Sequence, residues 1–124
     1  MPLLIRTIRK ICRQKNVEKD FAFVDQITRS ARSVSANIAE GFESMTVAEF
    51  ITFLGYSKRS AGETRSHLYD ALDENYIDQT AFNTLAEQTR KICRMIAGLI
   101  HYLQSVDQKK KRTSATHVPE TKNQ

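Results

Sequence analysis

The chain has no tryptophan, two cysteines, four glycines and two prolines in 124 residues. So little glycine and proline leaves few of the tight turns that a sheet protein needs. Cys12 and Cys93 stand far apart and form no CxxC pair, which excludes a disulfide framework. Both are expected as small apolar core residues in a reducing cytoplasm. No apolar run approaches the roughly 20 residues of a membrane span, and the opening "MPLLIRTIRK" turns basic at Arg6. The expected setting is the cytoplasm, with no membrane contact.

Chemistry-bearing motifs are equally scarce. There is no glycine-rich phosphate loop, no HExxH and no His, Cys, Asp and Glu cluster at metal-ligand spacing. His67, His101 and His117 are scattered, and the ExxH pairs of a carboxylate metal site in a helical bundle are missing. The expectation is a non-enzyme with no cofactor, no metal and no small-molecule substrate.

What the chain does have is helical periodicity. With 40% apolar residues it suits one domain around one core. Phe82, Leu85, Thr89, Ile92, Ile96, Leu99, Leu103 and Val106 follow one another at alternating steps of 3 and 4, which predicts a helix over about 79–106. Asp78 is its N-cap, and Ile77 with Phe82 forms a hydrophobic staple. The same device opens a helix over about 47–75: Thr46 and Glu49 make the capping box, Met45 and Phe50 the staple. Its stripe of Phe50, Leu54, Ser57, Ala61, Thr64, Leu68 and Ala71 puts small residues at mid-height, where neighbouring backbones can approach closely.

Val24, Ile27, Ala31, Val34 and Ile38 predict a helix over about 21–42 with Gly41 as its terminator. Leu4, Ile8, Ile11 and Cys12 predict a shorter one over about 3–15. Short connections between the later helices make antiparallel neighbours, so the predicted fold is all-α, an up-down-up-down four-helix bundle over residues 1–106. The aperiodic, polar "DQKKKRTSATHVPETKNQ" that follows is expected to be a disordered basic tail over 107–124.

Charge is unevenly placed. The net charge is +5, but residues 1–17 carry only basic groups, 18–87 are acidic in balance and 88–124 are basic again. Arg6, Arg9, Lys10 and Arg13 fall on one face of the first helix, opposite its apolar face. Arg90, Lys91 and Arg94 cluster on the fourth. In the predicted bundle these helices are neighbours, so the clusters can merge into one basic flank that meets a phosphate backbone, with Lys109, Lys110, Lys111 and Arg112 as an added basic arm. The bland alternative is a solvated face paired to acidic residues of the same or a neighbouring subunit.

The stretch "SVSANIAEG" at 33–41 is unlike a solvated helix face. With Val34 and Ile38 inward, Ser33, Ala36, Ala39 and Glu40 point away from the core and Asn37 lies on the flank. Small residues there suit a surface covered by another subunit, with Asn37 and Glu40 supplying hydrogen bonds at its edge. Together with "QITRSAR" before it, "EFITFLGYSKRSAGETRSHL" after it and "ENYID", this stretch resembles the four-helix bundle proteins encoded within intervening sequences of bacterial 23S rRNA genes. The family pattern falls on Gln26, Arg29 and Ala31, then Ser33, Asn37, Ile38, Ala39, Glu40 and Gly41, then Ser60 and Glu63. Arg59 stands where the family usually has glycine, and the first helix is shorter than usual.

The resemblance implies a homo-oligomeric ring, a pentamer, and a distant likeness to the accessory variability protein of diversity-generating retroelements, which binds nucleic acid. Pairing the second and third helices about a turn near residues 44 and 45 sets Gln26 opposite Glu63 and Arg29 opposite Ser60, so an Arg29–Glu63 ion pair is expected to fix helix register. Two classes of function stay open: an RNA- or DNA-binding module, and a protein interaction scaffold whose charge is incidental.

Overall fold

The computed structural model describes the backbone of residues 2–122 and the side chains of residues 3–113. Four helices follow in order: α1 (Pro2–Cys12), α2 (Phe21–Glu43), α3 (Val47–Asp73) and α4 (Gln79–Lys122). The fold is all-α, with no strand among the described residues. Consecutive helices pack on each other, α1 on α2, α2 on α3 and α3 on α4, as an up-and-down arrangement requires. No described helix is long and apolar enough to cross a membrane.

The helix starts follow local chemistry. Asp20 caps α2 by accepting from the Phe23 amide at 3.2 Å. Thr46 caps α3 by accepting from the Glu49 amide at 3.1 Å, and the Glu49 carboxylate reaches back to the Met45 amide at 3.3 Å. Asp78 accepts from the Ala81 amide at 2.8 Å at the start of α4. The end of α3 is a Schellman turn. Asn75 takes the left-handed conformation at φ 61, its amide bonds the Leu72 carbonyl, and the Tyr76 amide bonds the Ala71 carbonyl at 2.8 Å.

Two helix ends differ from the sequence expectation. Gly41 does not terminate α2: no glycine has positive φ, and the helix continues to Glu43. Its role is close approach, since a Cβ there would lie 2.7 Å from the Phe50 ring. The other end is that of α4, which runs past Val106. Helix α4 continues to Lys122 because no glycine or proline intervenes between Gly98 and Pro119 and lysine, arginine and glutamine are good helix formers. Lys111 also pairs with Asp107 one turn back at 3.2 Å. His117 lies outside the residues whose side chains are described.

The core is centred on the predicted Ile8, Ile27, Val34, Leu54, Leu68 and Leu85 and adds Val17 and Phe23, which the stripes did not include, while Val24, Ile38, Phe50, Leu99 and Leu103 are only partly buried. A hydroxyl layer crosses it at mid-height. Ser57, Thr64 and Thr89 are fully buried. Ser57 donates to the Val34 carbonyl at 2.6 Å, Thr64 bonds Ser30 at 3.0 Å, and Ser60 bonds Ser33 at 2.9 Å. Every one of these hydroxyls has a partner, which is the condition for burying it without a large penalty.

A polar clasp holds the lower end. The Tyr76 hydroxyl, in the α3–α4 turn, donates to the Asp20 carboxylate at 2.7 Å, and its ring packs edge-on against Phe23. That hydrogen bond, with desolvation and the charges of Asp20 and Glu74, pushes the phenol up to about 12. Unfolded tyrosine titrates near 10. The folded chain therefore keeps a proton that the unfolded chain loses between those values, and the contribution is whole below about pH 10 and lost as pH rises towards 12. Urea midpoints are expected to fall across this window in the native chain and to fall less in Tyr76→Phe, whose midpoint is already lower at pH 8.

Candidate nucleic-acid interface and the motif face

Helix α1 is amphipathic in the strict sense. Leu4, Ile8, Ile11 and Cys12 are buried, while Arg6, Arg9 and Lys10 are exposed on the other side. Arg13 falls just past the helix, and its amide returns to the Arg9 and Lys10 carbonyls. None of these four cations has an ion-pair partner among the described residues. Burial pushes the Cys12 thiol up, against a weaker lowering contact to Thr28, so it is a packing residue and not a thiolate.

The α4 cluster is differently placed. Arg94 makes a 2.9 Å contact with Glu87, and Arg90 lies 3.8 Å from the same carboxylate. The Arg94 hydrogen bond, with the charges of Arg94, Arg90 and Lys91, holds the Glu87 carboxyl below its ordinary range. One carboxylate thus answers two of the three expected cations, and Lys91 is the exposed cation of the cluster without an ion pair. Helices α1 and α4 do meet: Leu3 and Thr7 share a groove of about 330 Å³ with Ala81, Thr84, Leu85 and Gln88. The contact lies about two to four turns before Arg94, so the predicted single flank becomes an open α1 face beside a partly compensated α4 patch. Glu87 was legible as the counter-ion, standing three and seven residues before the two arginines.

The motif residues gather on the α2–α3 seam. Gln26, Arg29, Ser30, Ser33, Glu63 and His67 line a groove of about 480 Å³. Asn37 donates through Nδ2 to both the carbonyl and the hydroxyl of Ser33, at 2.8 and 2.9 Å. Ser33 thus faces α3 and is half-buried, and does not point outward as expected; Ala36, Ala39 and Glu40 are exposed.

The expected Arg29–Glu63 pair does not form. Arg29 bonds Asp25 on its own helix at 3.1 Å, although the turn between α2 and α3 falls where expected, at residues 44–46. Ser60 meets Ser33 instead of Arg29, so the two helices pack one helical turn from the predicted register. The sequence reading named Ser57 and Thr64 as core positions but missed Ser30, whose hydroxyl links Thr64 to α2. His67 sits 3.8 Å from Asp70. Among the described residues no group of three His, Cys, Asp or Glu side chains is placed to hold a metal ion.

These features define an all-α bundle with one uncompensated basic helix face and a satisfied polar seam. Residues 3–98 match the family described as 23S rRNA-intervening sequence protein, and the chain belongs to that family. Its structure is similar to the crystal structure of a protein of unknown function from the S23 ribosomal protein family of Bacteroides thetaiotaomicron VPI-5482. That similarity has a TM-score of 0.70 at 27% identity, over 77% of this chain and 87% of the other. No curated protein matches the chain.

Proposed function

We propose that the chain is a non-enzymatic, homo-oligomeric bundle of the cytoplasm that binds structured RNA or DNA through the exposed basic face of α1. The observation that carries this reading is the set Arg6, Arg9 and Lys10 on α1 with Arg13 just past its end, four exposed cations with no ion-pair partner among the described residues. Lys91 and the helical Lys109 to Lys111 extend the positive surface along α4. Assembly into a ring, a pentamer as the family resemblance implies, would repeat a weak patch and raise its avidity without any new contact. The family description, tied to an intervening sequence of 23S rRNA, agrees with an RNA partner.

The scaffold reading has one observation in its favour. Glu87 already pairs Arg90 and Arg94, which is how incidental surface charge is commonly arranged. Salt dependence separates the two. If the α1 face neutralises phosphates, the logarithm of affinity for an rRNA fragment falls with the logarithm of salt at a slope of about −1 per contact. Arg6→Glu/Arg9→Glu/Arg13→Glu is then expected to lower affinity at least about 10-fold at low salt and to flatten that slope. Arg90→Glu is expected to change both much less. Absence of binding by the native chain at low salt would leave the scaffold reading standing.

A further inference from the structure

The charged residues leave one level of the bundle bare. Residues 33–39 of α2, 50–57 of α3 and 95–106 of α4 contain no Asp, Glu, Lys or Arg. They lie at one height, because Ser57 meets Val34 on one seam and Cys93 meets the Lys58 carbonyl on the other. Glu40 alone carries charge into this level on α2. Above it stand Glu43, Glu49 and Asp107; below it stand Arg29, Arg32, Arg59, Glu63 and Arg94.

On one corner of the bundle this bare level is also uncovered. Helix α1 has 11 residues, about 16 Å, against 23 residues in α2. It meets α2 where Cys12 approaches Thr28, and α4 where Leu3 and Thr7 share a groove with Ala81 and Gln88. The stripes that face α1 continue past its reach. Seven and fourteen residues beyond Thr28 stand Ser35 and Phe42; at the same intervals beyond Gln88 stand Met95 and Tyr102. Met95 is 73% exposed and Tyr102 63%, and Phe42 is 68% exposed although one side of its ring packs on Phe50, 5.0 Å between centroids. Behind them Ile38, Leu99, Ile100 and Leu103 are only partly buried against the core. The fourth corner of the bundle has no helix at this height among the described residues.

The opposite corner carries a second apolar surface of different shape. Helix α3 packs on α2 and α4 from the side away from α1. At the bare level and just above it, with Glu49 at its upper rim, its outer flank forms a groove of about 410 Å³ lined by Ala48, Glu49, Thr52, Phe53 and Tyr56. Tyr56 is 45% exposed there, with Phe53 edge-on to it.

We infer that a second copy of this chain places the outer flank of its α3 in the open corner formed by Phe42, Met95 and Tyr102. This rests on the homo-oligomer reading above and names its surface. Two unlike surfaces at one height on opposite corners form a heterologous contact, which repeats from copy to copy and closes when the rotation allows. Area supports a protein partner. At about 200 Å² for each large side chain, Phe42, Met95 and Tyr102 leave roughly 400 Å² open, half of what one side of a standard interface contributes. The partly buried aliphatic residues behind them supply more. Small neighbours at Ser35, Ala36 and Ala39 let the incoming helix approach closely.

The test is light scattering after size exclusion on the full chain and two double variants. Met95→Glu/Tyr102→Glu charges the open corner; Thr52→Glu/Tyr56→Glu charges the α3 flank. All four side chains are exposed, and circular dichroism should show unchanged helix content. The native chain is expected to assemble, each variant to be monomeric, and an equimolar mixture of the variants to form a heterodimer, since each keeps one intact surface. Assembly of either variant at native size overturns the surface while leaving the homo-oligomer in place. Monomeric variants that stay monomeric when mixed overturn the pairing of the two faces. A native chain that is monomeric yet floats with phosphatidylcholine vesicles overturns it in favour of a lipid surface. A native chain that is monomeric and does not float removes the homo-oligomer reading as well.

Discussion

Ile8→Ala is expected to cost about 3 kcal/mol, within the range of roughly 2–5 for truncating a buried isoleucine to alanine, and to release α1 before the rest of the bundle unfolds. Ile8 is fully buried and is the central anchor of α1. An isolated helix of 11 residues is unstable in water, so α1 persists only through the packing of Leu4, Ile8, Ile11 and Cys12. Hydrogen exchange separates local from global effects. Amides of α1 are expected to lose protection more than those around Ile27 and Leu54. The same variant links stability to the proposed activity, because the basic face exists only while α1 is docked and helical. Affinity for an rRNA fragment should fall with α1 protection although no cation has been removed. Unaltered α1 exchange would show that the helix is held by something other than this face.

Ser57→Leu is expected to destabilise the bundle by ~3 kcal/mol, at the upper end of overpacking costs, and to lower the melting temperature by on the order of 10 °C. Ser57 has no exposed surface and its hydroxyl lies 2.6 Å from the Val34 carbonyl. At that distance α2 and α3 leave no room for an isobutyl group. Ser57→Ala is the informative control. It removes one hydrogen bond, worth about 1 kcal/mol, without asking the helices to part. A large loss in the leucine variant with a small loss in the alanine variant identifies close approach, and not the hydroxyl, as the reason for serine there. Equal losses would reverse that conclusion.

The contrast between Gly41 and Asn75 shows where local reasoning stops. Both stand near a helix end, and glycine is the commoner terminator. Yet Asn75 takes the left-handed turn, while Gly41 stays helical because the Phe50 ring lies against it. Nothing near Gly41 in sequence announces a contact made across the following turn. The capping box at Thr46 and Glu49 and the cap at Asp78 were legible because donor, acceptor and spacing all lie within four residues.

The candidate site divides in the same way. The basic face of α1 follows from a spacing of 3 and 4, which any helix turns into one side. Whether its cations stay uncompensated depends on which carboxylates the fold brings near. Glu87 answers Arg90 and Arg94 from within the same helix, and the spacing displays it. The partner of Arg29 was misplaced because α3 packs on α2 one turn away from the pairing that the turn position suggests, and Asp25 one turn back on the same helix takes the place of Glu63.

By itself the sequence determined four amphipathic helices, their order, most of their starts, the core and the basic side of α1, since all of these rest on periodicity and interactions within a few residues. Only the tertiary structure decided the register of α2 on α3, the hydroxyl pairs Ser30–Thr64 and Ser33–Ser60 with the Ser57 bond to the Val34 carbonyl beside them, and the corner that α1 leaves open. Those depend on how long each helix runs and how closely two backbones meet. Such quantities are set by packing summed over the whole seam, and no short window of residues contains them.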